Sequence, residues 1–311
     1  MNGGEGSGRP VHTGRTEALR TPAKVNLHLE VLRRRSDGYH EIETIYQAIQ
    51  IFDEVRVTLE ERRPGGEPDI QVRTRPSGAA PDGPENLCWQ AARLFCHEMR
   101  VSGRLVIELL KEIPAGAGLG GGSSDAAATL LACDRLFGTD LDARPLTRLA
   151  AKVGADVPFF LRGATALGRG TGTTLTPLPA IRSGRFLVVK PDFDLLTERV
   201  YAELKIGLTV RGPVANIQSA SALIARFPTS SWFGFNRLEE VVLPGYPMLQ
   251  RLVFSLREEA EIAMMCGSGS AVVAVFSDES RAGGEAEKLE RLHPYVRVVG
   301  PHPGGAEFLS R

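Results

Sequence analysis

Residues 23–32 alternate cleanly, with Val25, Leu27, Leu29 and Val31 on one side and Lys24, Asn26, His28 and Glu30 on the other. The pattern predicts a half-buried strand and obliges Lys24 and Asn26 to project from one face. Asp37-Gly38 marks a turn. Residues 42–51 and 54–59 read as further strands, the second with Val55, Val57 and Leu59 in alternation. The stretch 61–84 is rich in Pro and Gly, with one short strand around 70–72. Residues 85–99 switch to helical spacing, placing Leu87, Ala91, Leu94 and Phe95 on one stripe. Residues 104–110 return to a strand. A glycine-rich loop then leads into a helix over 123–137, and Gly138 suits a left-handed cap at its end.

The second half reads as helical pieces at 146–152 and 157–161, a strand at 186–189 and a helix at 249–260. Strands at 262–265 and 271–276 flank a second glycine turn, and a helix at 284–292 and a strand at 296–299 follow. No useful internal repeat is present. Strands preceding helices in each half predict an α+β protein with a boundary near residue 180. The expected division is an extension over 1–20, one domain over 21–180 and a second over 181–311.

Composition narrows the function. The 311 residues are 42% hydrophobic, enough for a sizeable core, and 37 basic residues balance 37 acidic ones. A nucleic-acid-binding chain ordinarily shows a basic excess, and none exists here. The run Arg33-Arg34-Arg35 precedes the Asp37-Gly38 turn and reads as a solvated loop. Cys88, Cys96, Cys133 and Cys266 lack the spacing of a zinc half-site, and each sits among apolar neighbours, as a small buried hydrophobe would. No apolar run reaches about 18 residues, so no membrane span is expected. The first seventeen residues are rich in Gly and Arg without an apolar core, the pattern of a disordered extension rather than a signal peptide. A cytoplasmic location and no obligatory protein partner are the expectations.

The strongest chemical signal is the segment Pro114, Ala115, Gly116, Ala117, Gly118, Leu119, Gly120, Gly121, Gly122, Ser123, Ser124, between a predicted strand and a predicted helix. Glycines let successive backbone N–H groups converge on one point, and the helix N-terminus adds partial positive charge. Together these favour a bound phosphate chain. The absence of a Lys after the glycines excludes a Walker A loop, and the spacing excludes a Rossmann fingerprint. A surface loop capped by Ser or Asp is the ordinary alternative. Five glycines at one strand-to-helix junction argue against it.

This segment resembles the ATP loop of the GHMP kinases. Pro22-Ala23-Lys24-Val25-Asn26-Leu27, Asp37-Gly38-Tyr39-His40 and Gly154-Ala155-Asp156-Val157-Pro158-Phe159-Phe160 resemble one branch of that family, which phosphorylates a cytidine diphosphate-linked methylerythritol in the non-mevalonate isoprenoid route. Met265-Cys266-Gly267-Ser268-Gly269-Ser270 resembles the C-terminal glycine turn of the superfamily. The matches run in order over most of the chain. The resemblance implies an N-terminal half like domain 2 of ribosomal protein S5, a ferredoxin-like C-terminal half and an active site between them. It implies ATP as donor, with Mg2+, and the substrate 2-hydroxyl as acceptor.

Under that resemblance Asp156 is the general base and Lys24 its electrostatic partner at the γ-phosphate. Asp156 as N-cap of a short helix is the competing reading. Asn26 shares the pocket with Lys24. Tyr39 and His40 are implied to bind the cytosine, with Tyr201 as a second aromatic and Thr197 nearby. Asn86 and Lys111 match positions near adenine, Lys111 through its backbone, so its side chain is expected to matter little. Gly267, Ser268 and Gly269 are implied to turn backbone donors towards phosphate or substrate. Ser124 is the candidate metal contact. Two positions depart from the family pattern: Cys266 replaces a hydroxyl residue, and Arg237 follows Asn236 where Asp is common. Without the Asp37–His40 segment, a homoserine- or mevalonate-type kinase would fit equally. A nucleotide-binding sensor would not need both Lys24 and Asp156.

Overall fold

The computed structural model describes residues 11–204 and 217–310. Two long strands, β1 (Val11–Arg34) and β2 (His40–Arg63), form an antiparallel hairpin about the Asp37-Gly38 turn. β3 (Asp69–Arg75) crosses through α1 (Leu87–Met99) to β4 (Ser102–Leu110), which it pairs in parallel. The glycine loop follows, then α2 (Gly121–Phe137), α3 (Ala143–Val153) and the single turn α4 (Val157–Phe160). β5 (Thr165–Gly170) returns to pair with β2, and β6 (Thr174–Pro177) pairs with β5.

The chain then builds a second sheet. β7 (Arg185–Lys190) is followed by α5 (Thr197–Glu203), α6 (Ile217–Ile224), the short β8 (Phe235–Asn236) and α7 (Glu239–Val242). Next come α8 (Pro247–Glu259), β9 (Ile262–Met265), β10 (Val272–Phe276), α9 (Glu279–Leu289) and β11 (Tyr295–Val299). The strand order β11-β7-β10-β9 with antiparallel neighbours is the ferredoxin-like arrangement. Two pieces of the second half rejoin the first sheet at β1: β8, and β12 (Glu307–Phe308).

Burial explains the order of layers. Val55, Val57, Leu105 and Ile107 pack against Phe95 of α1 and Leu130 of α2. In α2, Ala126, Ala127, Ala128 and Ala132 are fully buried, small residues that let a central helix lie close to its neighbours. Gly138 ends it at φ 64°, as the sequence implies. Farther along the hairpin, Val25, Leu27, Ile45 and Ile49 meet Phe186, Val188 and Val273 of the second sheet. The other face of that sheet packs on Leu249, Leu252 and Val253 of α8.

Several expectations are corrected. The expected extension over 1–20 is ordered from Val11, because β1 there pairs with the end of β2 and buries Leu19 in the core; residues 1–10 lie outside the described residues. The strand over 23–32 is buried on both faces, because β8 and the second sheet cover what a lone hairpin would leave wet. Residues 42–51 and 54–59 belong to one continuous strand, and β5 and β6 carried too few alternating residues to be expected. All four cysteines are buried free thiols.

Candidate active site

The glycine loop is pinned at both sides. Leu119 O accepts from Lys24 N at 2.9 Å, and Ala117 O accepts from Ala271 N at 3.2 Å, so the loop bridges β1 and the C-terminal glycine turn. Gly118 has φ 75°, and a Cβ there would lie 2.1 Å from the Cys266 carbonyl oxygen. No other residue fits so close an approach. Gly120 forms the N-cap of α2 in the left-handed region, and no side chain caps that helix. Its first-turn N–H groups therefore face the loop with their partial positive charge.

The loop forms one wall of a cleft of about 1460 Å³ that reaches across to the hairpin and α5. Lys24, Asn26, Tyr39, His40, Asn86, Lys111, Pro114, Asp156, Thr197, Tyr201, Gly267 and Ser268 all line it, as do residues 115–123. Ser124 and Gly269 do not. Ser124 is fully buried and donates its hydroxyl to Pro22 O at 2.6 Å, so the expected phosphate or magnesium contact is corrected. Gly269 turns inward, where a Cβ would meet Met265 Sδ at 2.7 Å.

On the cleft wall, the Asp156 carboxylate accepts from the Tyr46 hydroxyl at 2.9 Å and stands 3.5 Å from Lys24 Nζ. It stands at the N-cap position of α4 but makes no side-chain capping hydrogen bond there. Lys24 is 5% exposed and Asp156 31%, so the carboxylate opens to the cleft while the ammonium stays behind it. Lys24 also donates to Asn26 Oδ1 at 2.9 Å, and Asn26 Nδ2 donates to Thr44 Oγ1 at 2.8 Å. Asn26 therefore orients the lysine. Burial, and then the negative Asp156, raise the Tyr46 hydroxyl well above its usual pKa, keeping it a neutral donor. Sequence reasoning missed Tyr46. It pairs directly with Asn26, but the register shifts at Val31/Arg33 and at Asn26/His28, so counting back from the turn would place Ala48 there instead.

A second cluster sits where the loop begins. Lys111 Nζ lies between Asp53 and Asp125, the latter at 2.6 Å. The other Asp53 oxygen accepts from Glu112 N at 2.6 Å and Ile113 N at 2.9 Å. These carboxylates are 0% and 3% exposed, and Asp125 Oδ1 has no hydrogen-bond partner. Burial and the neighbouring Asp53 charge outweigh Lys111 and raise the Asp125 carboxyl to about 8. For Lys111, burial acts downward, but Asp125 and Asp53 together raise its pKa. The lysine side chain thus ties β2, the loop and α2 together, which corrects the expectation that it matters little. Its backbone N–H donates to Arg75 O at 2.8 Å. Asn86 caps α1, accepting from Cys88 N at 2.8 Å and donating to Pro81 O at 2.7 Å.

At the opposite end, the His40 and Tyr201 rings lie 5.1 Å apart. Tyr39, 64% exposed, stands beside them at the tip of the hairpin. Burial, helped by Arg34, lowers the His40 pKa and favours neutral imidazole, with one donor and one acceptor nitrogen. Thr197 Oγ1 is 2.8 Å from Ser268 Oγ, which links α5 to the glycine turn. Asn236 was given no role from the sequence. Its Nδ2 donates to Met265 O at 2.8 Å and Gly267 O at 2.7 Å and so holds that turn. Its neighbour Arg237 is buried beside Glu30, 4.0 Å away, and pairs with Glu240 at 2.8 Å.

The family described as GHMP kinases N terminal domain matches residues 86–164. The chain is similar to the 4-diphosphocytidyl-2-C-methyl-D-erythritol kinase of Moorella thermoacetica, with 40% identity over 292 residues, covering 91% of this chain and 99% of that one. It is also similar to a solved 4-(cytidine 5'-diphospho)-2C-methyl-D-erythritol kinase, at 33% identity and TM-score 0.73, covering 93% and 99% of the two chains. A homoserine kinase from Cytophaga hutchinsonii shares the fold at 19% identity and TM-score 0.69, covering 94% and 97%.

Proposed function

The chain belongs to the 4-diphosphocytidyl-2-C-methyl-D-erythritol kinase family of GHMP kinases, and from that premise we propose that it transfers the γ-phosphoryl group of ATP to the 2-hydroxyl of this substrate. The observation that carries the reading is Asp156, gripped by Tyr46 and Lys24 in the cleft that the glycine loop, His40 and Tyr201 also line. The loop and the N-terminus of α2 hold the ATP phosphates. Tyr39, His40 and Tyr201 hold the cytosine, His40 offering a neutral ring for hydrogen bonds with the base. The methylerythritol unit then lies against Asp156.

Asp156 accepts the proton of the substrate hydroxyl as its oxygen bonds to the γ-phosphorus. The bond from that phosphorus to the ADP oxygen breaks, and ADP leaves. Lys24, 3.5 Å from Asp156, offsets the negative charge spread over the transferred group. Tyr46 fixes the carboxylate orientation. For Mg2+, the residues offer no protein cage: among the described residues no cluster of His, Cys, Asp or Glu is suited to a metal, Ser124 faces away, and Asp125 is paired with Lys111. Magnesium is expected to enter on the ATP phosphates, and no helix is long and apolar enough to cross a membrane among the described residues.

The test is phosphorus NMR of the purified protein with ATP, magnesium and 4-diphosphocytidyl-2-C-methyl-D-erythritol. A new phosphomonoester on the cytidine-containing product, matched by ADP, is the expected result. Folded, ATP-binding protein that transfers nothing to this alcohol but phosphorylates homoserine or mevalonate would overturn it.

A further inference from the structure

The three arginines ahead of the turn have different surroundings. Arg33 faces Glu41 at 3.4 Å, and Arg35 meets Asp37 at 2.8 Å and Glu41 at 3.4 Å. Arg34 makes no hydrogen bond or ion pair among the described residues, although it lines the cleft and pairs across the hairpin with His40. Among the described residues, three Lys or Arg side chains line that cleft: Lys24, Arg34 and Lys111. Lys111 is enclosed by two buried carboxylates, and Lys24 is held by Asn26 and Asp156. Among the described residues, Arg34 is therefore the cation of the wall that no anion neutralises.

The ligand on this side brings the matching charge. With a base at His40 and Tyr201 and a hydroxyl at Asp156, the diphosphate that joins them spans the space between. It carries at least two negative charges, and the glycine loop lies on the ATP side of Asp156. A guanidinium presents a planar fork of donors that suits phosphate oxygens, and each charge-assisted bond is stronger than a neutral one.

We propose that Arg34 binds the diphosphate of the alcohol substrate and makes the cleft select a nucleoside diphosphate-linked alcohol over a bare nucleoside. This rests on the reading of the cleft given under Proposed function. The phosphate-recognising feature of this side is then a side chain at the hairpin tip, separate from the backbone loop that serves ATP.

The test is calorimetric titration of cytidine diphosphate and of cytidine into the wild-type protein, Arg34→Gln and Arg34→Lys, with steady-state kinetics in parallel. Wild type is expected to bind the diphosphate more tightly than cytidine. Arg34→Gln should weaken diphosphate binding about ten-fold and leave cytidine binding in place, and Arg34→Lys should recover part of the loss. In kinetics, Arg34→Gln should raise KM for the cytidine diphosphate-linked alcohol about ten-fold and move KM for ATP far less. Arg34→Gln with the wild-type preference for diphosphate over cytidine would overturn the role of Arg34 and leave the base site standing. Wild-type protein that binds neither ligand would instead overturn the reading of the cleft, and this proposal with it.

Discussion

Lys24 and Lys111 stand on the wall of one cleft, both nearly buried and both facing carboxylates, yet their surroundings assign them opposite work. Lys111 lies between two sealed carboxylates, and one of those, Asp53, also grips two backbone N–H groups of the loop. That cluster is almost wholly enclosed, with only Lys111 and Asp125 bordering the cleft. Lys24 has one carboxylate partner, Asp156, at a longer distance and with a third of its surface open to the cleft. Its remaining bond goes to Asn26, which aims it. A lysine whose anions are enclosed acts as a tie in the fold. One whose anion faces solvent can meet charge that arrives with a substrate.

The contrast can be broken at several points. Asp156→Ala should lose turnover by about 10²-fold or more while keeping thermal stability and nucleotide binding; a folded variant with wild-type turnover would remove Asp156 as base. Lys111→Met should act on the other axis. It leaves Asp53 and Asp125 buried face to face and should cost about 3–5 kcal/mol in denaturant unfolding. Wild-type stability in that variant would mean that the cluster does not tie the loop.

A smaller effect should appear in the pH dependence. The Asp125 carboxyl is raised to about 8, so the native protein keeps a proton that the unfolded chain releases near pH ~4. Stability from this group is therefore full below that lower value and falls as pH rises towards 8. Asp125→Asn should flatten this decline, measured as unfolding midpoints between pH 5 and 8. Parallel curves for the two proteins would count against the raised value. The smallest effect is expected at Ser124→Ala. Loss of its bond to Pro22 should cost about 1 kcal/mol, with the ATP and magnesium dependence of turnover unchanged. A large rise in the magnesium requirement would return Ser124 to the metal.

The pairing of Lys24 with Asn26 was legible because a strand repeats every two residues, and the loop was legible because its glycines are concentrated at one junction. Asp156 was legible only as a choice between cap and base. The hydroxyl that holds its carboxylate was not legible, because Tyr46 reads in sequence as one more aromatic on a strand. Ser124 looked like a ligand because its hydroxyl follows the glycines. The helical turn carries it away from the cleft, towards Pro22.

The sequence by itself determined many of the elements, the turn at Asp37-Gly38, the glycine loop and the family, all carried by local spacing and short segments. Only the tertiary structure decided which polar residues are available. The carboxyl groups that enclose Lys111 come from positions 53 and 125, and the carboxylates near Arg34 pair instead with Arg33 and Arg35. Availability depends on distances and burial between residues far apart in the chain, and no local pattern encodes them.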